Sequence, residues 1–245
     1  MTMPQPTPHG SDMGFAATRW TVVMAAARGS DSSRATEALT ELCRTYWYPL
    51  YAFLRRRGHA THEAEDLTQA FFARLLDRPF LANIDRQKGK FRSFLLASLK
   101  HFLSDEKDRA SAQKRGGGRQ AISLDSLDAE SRYRLEPSHD LSPEKMYEKQ
   151  WALSVLELVL SRLQAEWDAT GKHALFEHLQ ATLAGGQSVR YEVIASQLGT
   201  TEAAIKSAAH RLRRRYRTLL IDEISQTVAD AAEVEGEIRY LMSCL

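Results

Sequence analysis

Cysteine is scarce in this chain: 245 residues contain two, Cys43 and Cys244. They stand far apart, with no CxxC and no histidine at ligand spacing, which excludes a zinc site or a disulfide framework. Such sparing use of cysteine is expected of a protein in a reducing cytoplasm. No apolar run approaches membrane-spanning length, and no secretory signal precedes the first expected helix. A phosphate loop is missing as well, since Gly171-Lys172 continues into His173 without the upstream glycine. GxSxG and HExxH do not occur, and the eight histidines are scattered. Strand-like alternation and internal repeats are also absent. The expectation is an all-α protein, not an enzyme, with no metal and no cofactor.

The chain does have enough apolar residues to build cores. Hydrophobic residues make up 43% and charged residues 26%, which suits two modest globular domains. Its net charge of +2 hides strong segregation. The balance is 0 over residues 1–85, +7 over 86–119, −3 over 120–145, −3 over 146–205, +6 over 206–217 and −5 over 218–245. Two basic islands separated by acidic chain point to two contacts with one polyanion.

The second island lies in YEVIASQLGTTEAAIKSAAHRLRRRYR, residues 191–217. Val193, Ile194 and Leu198 give a first helix its apolar face, and Gly199 stands where a helix stop needs a left-handed residue. Thr200 or Thr201 can cap a second helix, with Glu202 near its positive end. Ile205, Ala208, Ala209, Leu212, Tyr216 and Leu219 recur at helical spacing as an inward stripe. Lys206, His210, Arg213, Arg214 and Arg217 fall on the other side. This is the pattern of a helix-turn-helix with a recognition helix for the DNA major groove. The plainer alternative is a solvated amphipathic helix. The glycine-centred turn, the small residues Ala203, Ala204, Ala208 and Ala209, and the lack of acids favour DNA. Thr201, Glu202, Ala204, Lys206, Ser207 and His210 are expected to read bases, and Arg211, Arg213, Arg214 and Arg217 to contact phosphates.

Upstream, residues 1–17 read as a loose tail, followed by a short helix near Trp20–Arg28. Residues 33–57 read as mostly helical, bent or restarted at Pro49. Gly58 stops that helix and Thr61 can cap the next, THEAEDLTQAFFARLL. Leu67, Phe71, Phe72, Leu75 and Leu76 form its buried stripe. Asp66, Gln69 and Ala73 line an outward face, where Asp66 serves either a partner or merely the helix dipole. The first basic island leads into a helix from Phe91 to about Gln113. Its Phe91 and Phe94, interleaved with cations, suit melted nucleic acid, or else both rings are core. Gly116–Gly118 break this helix and open a polar linker to Ser142. Ser142-Pro143-Glu144 reads as a helix start, with a helix to about Asp168. A further helix spans roughly Lys172–Leu183, before Gly185-Gly186.

In this order the parts resemble the extracytoplasmic-function group of bacterial RNA polymerase sigma factors, over about residues 36–221. AEDLTQAFFARLL resembles the region-two helix that docks on the polymerase clamp, with Asp66, Leu67, Gln69 and Phe72 matching; Ala70 stands where an acid is usual. FRSFLLASLKHFLSDEKDR is similar to the helix that melts and reads the −10 element. Arg92, Leu95, Asp105 and Arg109 match it, with His101 where asparagine is frequent. Residues 191–207 resemble region four, which reads the −35 element. Tyr191, Ile194, Ala195, Leu198, Gly199, Thr201, Ile205 and Lys206 match, with Val193 in place of an acid.

The resemblance implies a region 2 domain (18–115) and a region 4 domain (143–221), with a loose tail (1–17) before them and a flexible linker (116–142) between. It does not account for the lead-in at about 146–184 or the acidic extension (222–245). It implies RNA polymerase core and promoter DNA as partners, an anti-sigma factor or other regulator as a third, and no membrane. Asp66, Leu67, Gln69 and Phe72 would contact polymerase. Phe91, Arg92, Lys100, His101, Arg109, Lys114 and Arg115 would join the region-four residues in contacting DNA. The rival reading is a free-standing helix-turn-helix regulator, and a recombinase-like enzyme is a more distant one. In the extension, Ile224, Val228, Ala231, Val234, Ile238 and Leu241 recur at near-helical spacing. Its acids are expected to lie against Lys206–Arg217 or to be simply solvated.

Overall fold

The computed structural model describes residues 33–75, 89–112, 126–135, 141–183 and 190–245. The expected tail, the helix near Trp20, Lys114, Arg115, Gly116–Gly118 and Gly185-Gly186 lie outside the described residues. Within them there are nine α-helices and no strand: α1 Ser33–Arg56, α2 Thr61–Leu75, α3 Phe91–Ala112, α4 Ser126–Leu135, α5 Pro143–Ala169, α6 His173–Leu179, α7 Tyr191–Gln197, α8 Glu202–Ser225 and α9 Val234–Ser243. Short 3-10 turns at Gln180–Leu183 and Ala231–Glu233 precede α7 and α9. No helix among the described residues is long and apolar enough to cross a membrane.

α1 runs unbroken through Pro49, contrary to the sequence expectation of a bend or restart. A proline inside a helix costs about 3 kcal/mol, because it removes a donor and crowds the preceding turn. Around it Tyr46, Trp47, Leu50, Tyr51 and Phe53 are all buried. Each large apolar side chain so buried contributes about 1.5–3 kcal/mol, so packing outweighs the local penalty. Gly58, at φ +94°, then turns the chain as anticipated. Thr61 is the first helical residue and not the cap: the Ala64 N–H donates to the Ala60 carbonyl at 2.9 Å.

The linker expectation also needs correction. Ser126–Leu135 is a helix docked on α1, not flexible chain. Tyr51 Oη donates to Glu130 at 2.6 Å, Arg55 Nε donates to the same carboxylate at 3.0 Å, and the Arg132 guanidinium lies 4.3 Å from the Tyr48 ring centroid. α1 thus supplies a polar and aromatic surface that gives a short polar segment partners.

α5 is the longest helix, 27 residues, about 40 Å at 1.5 Å per residue. It starts as the sequence indicated: Ser142 Oγ accepts from the Lys145 N–H at 3.2 Å, Pro143 opens the first turn, and Glu144 follows. Its most extensive packing is on α1, and it continues onto α8. Tyr147, Trp151 and Val155 are buried in its first half, Val159 and Leu163 in its second. Arg162 Nη1 donates to Glu223 of α8 at 2.9 Å, and Arg215 Nε of α8 donates to Glu166 at 2.7 Å.

Several carboxylates that tie elements together are held below the ordinary value of 4.5. Glu144 is lowered first by the Lys100 hydrogen bond, and Glu166 first by that of Arg215. For Glu130, partial burial works upward but is outweighed by hydrogen bonds from Tyr51 and Arg55. A carboxylate with a depressed folded pKa stabilises the fold above its unfolded pKa, and that contribution disappears as pH falls through the folded value. Urea midpoints should therefore stay flat from neutral pH to about 5 and fall below about 4.5. A midpoint constant down to pH 3 would refute this role for the three pairs.

Candidate nucleic-acid interface

Two local features build the second basic island. Gly199 sits at φ +63° with nothing near the position of an added Cβ, so backbone conformation alone requires glycine there. Thr201 then caps α8, its Oγ1 accepting from the Ala204 N–H at 3.2 Å. Ile205, Ala208, Ala209 and Leu212 are buried beneath α8, and α7 packs against it. That fixes the rotation of α8 and turns its other side to solvent. Thr201, Glu202, Ala204, Lys206, Ser207, His210, Arg211, Arg213, Arg214 and Arg217 are all exposed. Lys206 Nζ lies 2.6 Å from Glu202 one turn earlier, and that hydrogen bond raises its pKa, keeping it charged. Arg215 leaves this face to pair with Glu166. The helix end offers a cationic strip with capped, accessible first turns, a shape and charge that suit a duplex groove.

The first island is less uniform. On α3, Lys100, His101 and Arg109 are exposed, Lys100 pairing with Glu144 at 2.7 Å and Arg109 with Glu106 at 2.7 Å. Phe91 is 0% exposed and meets Tyr46 edge-on at 5.4 Å, so in this conformation its ring is core and not a base platform. Arg92, expected at the DNA surface, is 7% exposed and sits in an ion-pair cluster. Its Nε donates to Glu237 at 2.6 Å, Glu148 lies 3.5 Å from Nη1, and the rings of Tyr240 and Trp151 are 4.0 and 5.0 Å from its guanidinium. Burial disfavours the Arg92 charge, but the hydrogen bond and charge of Glu237 outweigh it and raise its pKa. Lys90 Nζ reaches Glu237 at 2.6 Å.

α2 presents Asp66 to solvent, with Gln69 and Leu67 half-buried. Phe72 is buried and packs edge-on against Phe71, which makes it a core ring and not a docking residue in this conformation. Charge and spacing marked Glu237 as one of the acids of the extension and Lys90 as part of the basic segment, but did not pair them and did not single out Glu148 or Tyr240. The −5 balance of residues 218–245 was the available signal, but it does not say which cation the acids meet. Glu237 meets Lys90 and Arg92, and Glu223 meets Arg162, whereas Asp222, Asp230, Glu233 and Glu235 are exposed, in line with the solvated alternative. Among the described residues no group of three His, Cys, Asp or Glu side chains could hold a metal ion.

Residues 42–113 match the family described as sigma-70 region 2. The chain is also 26% identical over 191 residues to the ECF RNA polymerase sigma factor SigE of Mycolicibacterium smegmatis. That alignment takes in 78% of this chain but only 65% of the relative. No solved structure matches the chain. The matched region spans α2 and α3, the two helices that carry the outward Asp66 face and the first basic island. Both likenesses concern sigma factors: one is to sigma-70 region 2 over residues 42–113, the other to an extracytoplasmic-function sigma factor over most of this chain.

The exposed strip makes a measurable distinction. Arg214→Ala should weaken duplex binding evenly across sequences and reduce the slope of log affinity against log salt by about 0.9. Lys206→Ala should instead change the preferred base pair, with a discrimination of about 1–3 kcal/mol. Binding-site selection on both variants decides it: an unaltered preference with Lys206→Ala refutes the assigned register.

Proposed function

We propose that this chain is an extracytoplasmic-function sigma factor, a cytoplasmic promoter-specificity subunit that directs RNA polymerase core to promoters and initiates transcription. The observation that carries the reading is the coexistence in one chain of the region-2 match at residues 42–113 and an exposed, capped basic helix after a glycine turn. Asp66 and Gln69 on α2 would contact core. Lys100, His101 and Arg109 on α3 would contact opened promoter DNA, and the first turns of α8 the upstream duplex. Arg211, Arg213, Arg214 and Arg217 supply charge to phosphates, which positions the protein and leaves sequence reading to shorter side chains near Thr201. No bond is made or broken by this chain in that role, so it needs neither metal nor cofactor. An anti-sigma factor or other regulator is the third proposed partner, and no membrane is required.

The test is transcription in vitro from genomic fragments with purified core polymerase. The full chain should give specific initiation where core alone gives none. Asp66→Ala combined with Gln69→Ala should weaken core capture at least tenfold while duplex binding and helicity stay unchanged. Duplex binding without any initiation would support the free-standing regulator instead. Unchanged core capture by the double variant would remove α2 from the polymerase contact.

A further inference from the structure

We infer that the C-terminal helix α9 is a latch that holds the cations at the start of α3 away from nucleic acid. This rests on the proposed use of α3 for opened DNA. The carboxylate of Glu237, 1% exposed, lies between Lys90 Nζ and Arg92 Nε, 2.6 Å from each. The Phe91 N–H donates to the Thr227 carbonyl at 2.9 Å, so the turn before α9 also holds the first α3 amide. Tyr240 covers the same corner, its ring 5.6 Å from Lys90 Nζ and 4.0 Å from the Arg92 guanidinium. Arg92 is the residue that the family resemblance gives to promoter DNA, and here an acid of the same chain holds it.

Two features make the contact reversible. α9 has ten residues, too short to persist as a helix without packing, and of these only Glu237 and Leu241 are buried. Its central interaction is a buried ion pair, in which desolvation nearly cancels the attraction, so it fixes position more than it supplies strength. A phosphodiester strand offers the same two cations a competing anion. When α9 leaves, Glu148 stays beside Arg92 while Lys90 loses its acid. The opened corner therefore gains one to two phosphate contacts.

Affinity for a short fluorescent mixed-sequence single strand, without polymerase, tests this for the full chain, Glu237→Gln and a chain ended after Asp230, which keeps Thr227. Both variants should bind about tenfold more tightly at low salt. The slope of log affinity against log salt should steepen by about 0.7 to 1.4. Adding Arg92→Gln to Glu237→Gln should remove most of the gain. In the unaltered chain, saturating strand should speed hydrogen exchange at the Phe91 amide and along α9. Binding without that loosening overturns the latch, as does a Glu237→Gln protein that is less heat-stable with unchanged strand affinity. No polymerase is present, so failure here is distinguishable from failure of the transcription assay.

Discussion

One helix joins the two halves of a single continuous core. α5 packs most extensively on α1 and continues along α8, with Tyr147, Trp151 and Val155 buried in its first half. A straight α-helix is stiff over this length, so whatever α1 and α8 carry is held at a set separation. α2 hangs from α1, α7 from α8, and α9 reaches from α8 across α5 to the first turn of α3. Loosening the α1–α5 seam would therefore do more than expose apolar surface. It would uncouple the two basic islands.

The same frame sorts the cations. Arg55, Arg92, Arg162 and Arg215 are each matched with a carboxylate from another element, and they join the helices. Such pairs contribute modestly when exposed, and cost much when one buried partner is removed. Arg211, Arg213, Arg214 and Arg217 lie instead on the exposed side of α8, above a buried alanine and leucine stripe. Arg213 and Arg217 also border a groove of about 490 Å³ between α8 and α9, lined by Leu220, Val234 and Ile238. A uniform count of basic residues would not separate the joining set from the strip on α8.

Local signals were the legible ones. The Gly199 turn, the Thr201 and Ser142 caps and the α8 stripe could be read because each depends on neighbours a few residues away. The outward placement of Asp66 followed from the same periodicity, with Gln69 half-buried beside it. What escaped depends on partners distant in sequence. Pro49 is tolerated because of buried aromatics from the assembled core, and α4 is helical where Glu130 finds Tyr51 and Arg55. Phe91 could be read either as core or as a base platform and Arg92 as a DNA contact; Tyr46 packs on the Phe91 ring, while Glu237, Tyr240 and Trp151 enclose Arg92. The acidic bias of the tail was plain in the sequence, whereas its destination 145 positions away was not.

The central claim is that α3 and α8 belong to one closed body joined through α5 and α9. Spin labels at His101 and His210, both exposed, in a background with Cys43 and Cys244 changed to serine, would report the separation of these helices directly. The account predicts one narrow distance distribution for the chain alone, broadening when α9 is removed after Asp230. A broad distribution in the intact chain, the same with and without α9, would contradict it.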